Sequence, residues 1–152
     1  MAEILIRPTV PGDAEALGLN MRLCDAEEVL ACGHDPLEAA LSSVAASVLC
    51  WSAFADGELG CIIGCAPVAM MGGIGSPWML GTPVLDEHSR VLVRLTPRYI
   101  GAMLKAFPHL VNRVHAKNTT SLRWLRRIGF TVHAPAPHGP LGEDFHLFEM
   151  RA

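Results

Sequence analysis

Charged and aromatic residues are scarce in this sequence. Of its 152 residues, 18% are charged, 6% are aromatic, and only one is a tyrosine. Apolar residues reach 51%, which is too hydrophobic a composition for a disordered chain. The formal net charge of -3 gives no general reason to expect a nucleic acid or another polyanion as a partner. A chain of this length is expected to form one domain, residues 1–152, with one core.

A long hydrophobic run is also missing. The longest apolar region, residues 44–54, is interrupted by Ser47 and Ser52. It is shorter than the roughly 18 to 20 apolar residues that a membrane span needs. Residues 1–8 lack the basic start and following apolar run of a secretory signal. We therefore expect a soluble protein with no membrane span.

Cysteine occurs five times, an odd number that favours reduced thiols in the cytoplasm over a disulfide framework. Cys61 and Cys65 would point to one face of a strand, because strand side chains repeat every second residue. No cysteine pair has the two-residue spacing that is typical of zinc sites. We expect packed, structural thiols and no metal site.

Hydrophobic periodicity and turn signals predict the order β-α-α-α-β-β-β-α-β-α-β-β around one central sheet. The predicted helices cover residues 11–21, 22–31, 35–49, 86–107 and 118–129. The predicted strands cover residues 4–8, 51–55, 58–70, 78–85, 109–116, 130–134 and 145–150, with loops at 71–77 and 135–144.

Local signals support several of these boundaries. Asp13 and Asp35 are expected to cap the first and third helices, and Gly33 to end the second. Asp56-Gly57 predicts a hairpin turn. Thr96-Pro97, in the middle of a helical stretch, predicts a kink or a break into two helices.

The segment 118–129 is the most informative helix. On a helical wheel its apolar residues fall on one side and its arginines on the other. Asn118 or a following threonine can cap the start, and Gly129 can end the helix in a left-handed conformation. The pattern predicts an amphipathic helix with a packed apolar face (Leu122, Trp124, Leu125, Ile128) and a solvated basic face (Arg123, Arg126, Arg127).

Two segments at the ends of the chain resemble the GNAT superfamily, the acyl-CoA-dependent N-acetyltransferases. ILIRPTVPGDAEAL (4–17) resembles its opening strand and helix. NTTSLRWLRRIGF (118–130) resembles its second signature, an asparagine and a short helix followed by Gly-Phe. The resemblance implies an α/β (α+β) fold with a central mixed, mostly antiparallel sheet flanked by helices. It also implies acetyl-CoA as a cofactor and an amine as the acceptor.

A closer resemblance lies in HLVNRVHAKNTTSLRWLRRIG (109–129). This segment is similar to the carboxyl-terminal portion of a small GNAT-like protein of tailed bacteriophages, an internal virion protein. The resemblance implies a role in the virion or toward host proteins. The middle of the chain does not take part in it.

Three departures from the superfamily pattern concern the chemistry. The superfamily's glycine-rich phosphate loop corresponds to LDEHSRVLV (85–93), which has no glycine and carries Asp86 and Glu87. Those carboxylates would repel phosphate, and Asp86 is a good helix cap. The run GGIG (72–75) instead predicts a hairpin turn. Leu125 stands where many members place a tyrosine acid, and WMLGTPVL (78–85) has no acid to act as base.

We therefore assign no catalytic residue from the sequence. His88, His115 or His133 could act through a water, although a lone histidine is more often a packed or surface residue. Acyl transfer can also run on positioning alone. The resemblance assigns possible acetyl-CoA contacts to the open edge of the fourth strand and to the signature helix: Leu80, Thr82, Val84, Asn118 and Ser121.

Three functional hypotheses remain open. The first is a phage-derived GNAT-fold protein with a degenerate acyl-CoA site and a structural or host-interaction role, partnered by virion or host proteins. The second is an active acetyl-CoA-dependent N-acetyltransferase of a small amine or a protein amine. A nucleic-acid-binding module ranks third, since only Arg113 and Lys117 extend the basic face. The location is accordingly the bacterial cytoplasm or a phage virion, and a homodimer through the exposed face of the hairpin strands is compatible with the pattern.

Overall fold

All seven strands join one mixed sheet in a computed structural model that describes residues 1–69 and 71–152. Their order across the sheet is β1-β2-β3-β4-β5-β7-β6, and every neighbouring pair is antiparallel except the parallel pair β4–β5. The predicted mixed, mostly antiparallel sheet is therefore confirmed. The strands are β1 (Ile4–Pro8), β2 (Leu49–Ala55), β3 (Glu58–Pro67), β4 (Ile74–Gly81), β5 (His109–His115), β6 (Thr131–His138) and β7 (Glu143–Arg151).

Six helices flank this sheet in the described part of the chain, where the sequence predicts five. Three of them precede β2, two lie between β4 and β5, and the last connects β5 to β6. They are α1 (Asp13–Leu19), α2 (Leu23–Ala31), α3 (Pro36–Ala46), α4 (Pro83–Glu87), α5 (Ser89–Ala106) and α6 (Thr119–Arg127).

Side chains of β3 alternate between the two faces of the sheet, and each face carries its own hydrophobic cluster. Ile62 packs with Leu17 and Ala40 of α1 and α3. Its neighbours Cys61 and Ile63 belong to the larger cluster, which includes apolar residues of α5 and α6. The sheet is thus covered on both faces, with α1 and α3 on one side and α5 and α6 on the other.

The cysteines of β3 behave as the strand pattern predicts. Cys61 and Cys65 are both buried, on the face that packs against α5 and α6. Burial raises the pKa of the Cys61 thiol to about 12 and that of Cys65 to about 11. Both side chains therefore stay protonated and pack as small hydrophobic groups.

Several local predictions are confirmed. The Asp35 carboxylate accepts hydrogen bonds from the N–H groups of Leu37 and Glu38 at the start of α3. Asp56 and Gly57 both have positive φ, 49° and 80°, as a two-residue hairpin turn requires. On α6, Leu122 and Leu125 are buried while the three arginines are exposed.

Among the described residues, no helix has the length and apolar character of a membrane span.

Asp13 does not cap α1, contrary to the sequence prediction. Gly12, with φ of 98°, occupies the cap position. The Asp13 carboxylate instead forms an ion pair with Arg7 at 2.7 Å and accepts hydrogen bonds from Val10 N–H and Ser52 Oγ. Its charge is therefore used to join β1, β2 and α1.

The predicted loop 135–144 is wrong in its first half, because β6 continues to His138. β6 is an edge strand, so a proline in it can point its ring nitrogen, which lacks an N–H, toward solvent without losing a sheet hydrogen bond. The loop at 71–77 is also shorter than predicted, since β4 begins at Ile74. The predicted end of β3 at Met70 lies outside the described residues.

The predicted helix 86–107 is divided at His88 and not at Pro97. Thr82 caps α4 and Pro83 occupies its first turn, so helix starts where the sequence suggested a strand. α5 continues through Pro97, and Thr96 Oγ1 donates to the carbonyl of Leu92 at 3.1 Å. Asp86 consequently lies inside α4 and is not the cap of the long helix.

Candidate functional site

The sheet opens between its two parallel strands, β4 and β5. These strands pair only at Ile74–His109 and Gly75–Leu110, close to the amino end of each strand. Beyond that point, the Asn112 side-chain amide donates to the carbonyl of Pro77 at 2.8 Å. A side chain therefore replaces the ladder hydrogen bonds, and the two strands diverge toward their carboxyl ends.

The hydrogen-bond phase of β4 shows which backbone groups face this gap. Thr82 N–H donates to Gly60, and the Ile74 carbonyl accepts from Val68 N–H. Even-numbered residues of β4 are therefore bonded to β3, and odd-numbered residues point toward β5, because an antiparallel ladder alternates. Met79 lies in the open part of the gap, and its backbone has no hydrogen-bond partner among the described residues.

α2 spans the gap from one face of the sheet. At β4, Asp25 Oδ2 accepts from Gly81 N–H at 2.8 Å, and Arg22 N–H donates to the Gly81 carbonyl at 2.8 Å. At β5, Glu28 Oε1 accepts from His115 N–H at 2.6 Å. α2 and its cap residue Arg22 thus bond backbone groups of both strands at the carboxyl ends, Gly81 and His115, and leave Met79 open.

The larger cavity, of about 280 Å³, lies within this gap. On one face of the sheet its walls include Glu28, Ser43 and Trp78. On the other they include Met103 and Leu125 of α5 and α6. The cavity therefore passes through the sheet and connects its two faces, so that two different molecules could meet in the gap.

A second cavity, of about 220 Å³, shares Met79, Ser121 and Trp124 with the first. It extends to Ser89, the first residue of α5. The cap residue, His88, makes no side-chain hydrogen bond, and the first turn of α5 has no acidic residue. The N–H groups at the start of this 18-residue helix are thus available to an anion.

A buried ion-pair network closes one side of the second cavity. Arg22 Nε lies 2.7 Å from Asp25 Oδ2, and Arg22 Nη1 lies 3.0 Å from Asp86 Oδ1. Burial alone would lower the pKa of Arg22, but the charge and hydrogen bonds of Asp25 raise it above its ordinary value. Since Asp86 is engaged by this guanidinium, its charge is partly compensated.

The structure separates the five predicted acetyl-CoA contacts. Leu80 lines the larger cavity with its side chain, but its backbone belongs to the set bonded to β3. Thr82 caps α4 by accepting from Val84 N–H. The prediction that Thr82 and Val84 continue the edge of the fourth strand is therefore wrong, since β4 ends at Gly81. Asn118 caps α6 and donates to Glu28 at 3.5 Å. Ser121 lines both cavities.

The three candidate histidines line neither cavity. His115 Nε2 pairs with Glu143 at 3.0 Å, and its Nδ1 accepts from Lys117 N–H. His133 pairs with Glu149 at 2.6 Å, and His88 lies at the junction of α4 and α5.

Two residues at the site were not indicated by the sequence. Met79 matters through its backbone, whose direction depends on the hydrogen-bond phase of the sheet. Glu28 differs from its exposed neighbour Glu27 only in its position on the helix. A helical wheel that placed Glu28 beside the buried residues Asp25 and Ala31 was the one available signal.

Comparison with known proteins identifies the fold. A protein from Desulfovibrio desulfuricans assigned to the GNAT acetyltransferases has a TM-score of 0.73 at 16% identity, covering 98% of this chain and 99% of that chain. The chain is also similar to yncA from Salmonella typhimurium, which is assigned as an acetyltransferase and was solved with its cofactor acetyl-CoA. That structure has a TM-score of 0.72 at 16% identity, covering 97% of this chain and 93% of that chain. The GCN5-related N-acetyltransferase from Kribbella flavida gives 0.67 at 14% identity, with 98% of each chain covered.

The chain therefore has the GNAT fold, as the sequence resemblance implied. No family model matches the sequence, and no curated protein matches it. None of these findings supports the resemblance to a bacteriophage internal virion protein.

Proposed function

We propose that the protein is an acyl-CoA-dependent N-acyltransferase that transfers an acetyl group to an amine. The observation that carries this proposal is the cavity that passes through the sheet between β4 and β5. A thioester entering from the α5–α6 face and an amine entering from the α2–α3 face would meet there, which is the positioning that direct acyl transfer needs.

The residues along the two cavities fit an acyl-CoA. The N–H groups at the start of α5, with Ser89, would hold the phosphates. The open backbone of Met79 would pair with the amide groups of the pantetheine arm. Trp124 has a buried indole N–H without a partner among the described residues, and it lines both cavities. A carbonyl of the arm would satisfy that donor. The bound thioester would supply an activated acyl group.

With the phosphates placed at the start of α5, Asp86 is a weaker argument against acyl-CoA binding than the sequence suggested. The phosphates would lie at Ser89, three residues beyond Asp86, and Asp86 is paired with Arg22. Leu125 still provides no acid, since it is a buried apolar residue. The thiolate leaving group must therefore obtain its proton elsewhere. The amine itself can supply it.

Acetyl-CoA binding tests the proposal. At about 100 times its dissociation constant, a ligand stabilises the folded state by roughly 2.7 kcal/mol, or roughly 5 to 10 °C in Tm for a domain of this size. ATP, which has the adenosine and phosphates but no pantetheine arm, should give a much smaller shift. Turnover should be followed by chromatography of released coenzyme A, because the free cysteines of the protein would react with thiol reagents.

A matched pair of variants localises the binding. Trp124→Phe removes the unpartnered donor and should weaken acetyl-CoA binding roughly 3- to 10-fold, the value of one hydrogen bond. Trp51→Phe is the control, since Trp51 packs against Tyr99 in a tilted arrangement and lines neither cavity. No Tm shift of the wild type at millimolar acetyl-CoA would reject the proposal.

A further inference from the structure

Glu28 is the one carboxylate that lines the larger cavity among the described residues. It lies on α2, on the side of the sheet opposite α5 and α6. Its Oε1 is fixed by His115 N–H at 2.6 Å and by the Asn118 amide at 3.5 Å. No hydrogen bond from the described residues reaches Oε2, and that oxygen is not fully buried. One oxygen is therefore held by the protein, and the other is available to a ligand.

We propose that Glu28 is the acceptor-binding base, which holds the ammonium group of the incoming amine at Oε2 and takes one proton from it. This inference rests on the proposed acyl transfer. It assigns a proton acceptor to the face of the gap from which the amine enters. The base lies on α2, whereas the sequence resemblance places a base on the fourth strand.

The surroundings of Glu28 suit this task. Burial raises the pKa of Glu28 to about 7, against the lowering effect of the His115 N–H bond. Asp25 raises it further, and Arg22 lowers it. The other ionisable groups that line this part of the cavity are Cys32, His34 and Arg113. A carboxylate with a pKa near the working pH can accept a proton and release it again within one turnover.

The proton balance is complete with an acyl-CoA thioester as co-substrate. The ammonium group gives one proton to Glu28 and becomes a neutral amine. The amine nitrogen attacks the thioester carbonyl carbon, so that a C–N bond forms and the C–S bond breaks with its electron pair on sulfur. The nitrogen passes its second proton to that sulfur, which leaves as the thiol. Glu28 then releases its proton to solvent.

The walls of the cavity indicate the class of amine. Glu28 offers one carboxylate, and Arg113 and His34 supply no second site for a cation. Ser43 and Trp78 add a hydroxyl and an aromatic surface. These groups suit a small monoamine with a short apolar or hydroxyl-bearing body. A polyamine would leave its second ammonium group without a counter-charge, beside a guanidinium.

The test compares Glu28→Gln with Glu27→Gln. Glutamine keeps an oxygen for His115 N–H but cannot take a proton at neutral pH. We expect Glu28→Gln to retain the acetyl-CoA Tm shift and to lose roughly 100-fold or more in kcat/KM for the amine. The limb of the wild-type pH–rate profile near pH 7 should disappear. Glu27→Gln, at an exposed position on the same helix, should match the wild type in every assay.

A second readout needs no turnover. In carbon-13 NMR, the Glu28 carboxyl of the wild type should titrate near pH 7. A saturating small monoamine, added without acyl-CoA, should shift that titration to lower pH, because a bound ammonium favours the carboxylate. Spermidine should shift it less and should be the poorer substrate.

The outcomes separate the two proposals. Absence of an acetyl-CoA shift in the wild type rejects acyl transfer, whatever the amine titration shows. Wild-type turnover that Glu28→Gln matches, with an unchanged pH profile, overturns the role of Glu28 and leaves acyl transfer standing. A purely structural role for Glu28 is indicated if the amine leaves its titration unmoved. Preference for spermidine over every monoamine overturns the substrate class.

Discussion

Replacing Glu28 by glutamine should make the stability of the protein less dependent on pH between 5 and 8. The pKa of Glu28 is about 7 in the folded protein and 4.5 as an unperturbed side chain. The folded state therefore binds the proton more tightly than the unfolded state. A raised pKa of this kind gives a stabilisation that is complete below pH 4.5 and is lost as the pH rises through 7.

The size of the effect follows from the shift. Each unit of pKa difference corresponds to about 1.4 kcal/mol, so this group should account for about 2 to 3 kcal/mol of stability lost between pH 5 and pH 8. Glutamine does not titrate, and its side-chain carbonyl can still accept from His115 N–H. The difference in unfolding free energy, Glu28→Gln minus wild type, should therefore increase by that amount over the same interval.

Urea denaturation at pH 5, 6, 7 and 8 measures this difference. The other ionisable groups near Glu28, namely Asp25, His34 and His115, are present in both proteins, so their contributions cancel to a first approximation. Glu27→Gln serves as the control and should run parallel to the wild type. Stability curves for Glu28→Gln and wild type that stay parallel from pH 5 to pH 8 would refute the reasoning.

The remaining predictions concern the ion pairs and the glycines. Asp86→Ala should tighten acetyl-CoA binding measurably and cost under about 1 kcal/mol, because the Asp86 side chain is 58% exposed. Asp25→Ala should cost about 3 to 5 kcal/mol in urea denaturation, since it removes the main partner of a buried guanidinium. Gly64→Ala should destabilise by about 1 to 3 kcal/mol, because a Cβ there would lie 2.5 Å from the Trp78 ring. Gly101→Ala, with nothing within 4 Å inside α5, should stabilise by about 0.5 to 1 kcal/mol; a loss of stability there would contradict the helical assignment.

Elements with strong local signals could be predicted from the sequence. α6 combines a cap at Asn118, an amphipathic wheel and Gly129 with φ of 106°, and the structure confirms all three. α3 has two start signals that agree, since Asp35 caps it and proline occupies its first turn. In such segments the local chemistry and the tertiary packing favour the same conformation.

The errors arose where a residue had two roles open to it. Asp13 is a good cap by type, but the neighbouring Arg7 engages its carboxylate. Thr82-Pro83 fits the end of a strand and also the start of a helix, and the structure has the helix. Glu28 had no signal beyond its position on the helix, since its hydrogen-bond partners lie far away along the chain. Contacts of that kind depend on the whole sheet and leave no local pattern.

The bridge that α2 makes across the gap has a consequence for folding. Only two residue pairs join β4 to β5, so the sheet is built from a four-stranded antiparallel unit and a three-stranded one. The contacts of α2 that tie these units close long loops: Asp25 to Gly81 spans 56 residues, and Glu28 to His115 spans 87. Long-range contacts of this kind form slowly, because the chain loses the entropy of the closed loop before the contact contributes any stabilisation. We therefore expect both units to form before the seam between them, so that the walls of the cavity are the last part of the fold to assemble.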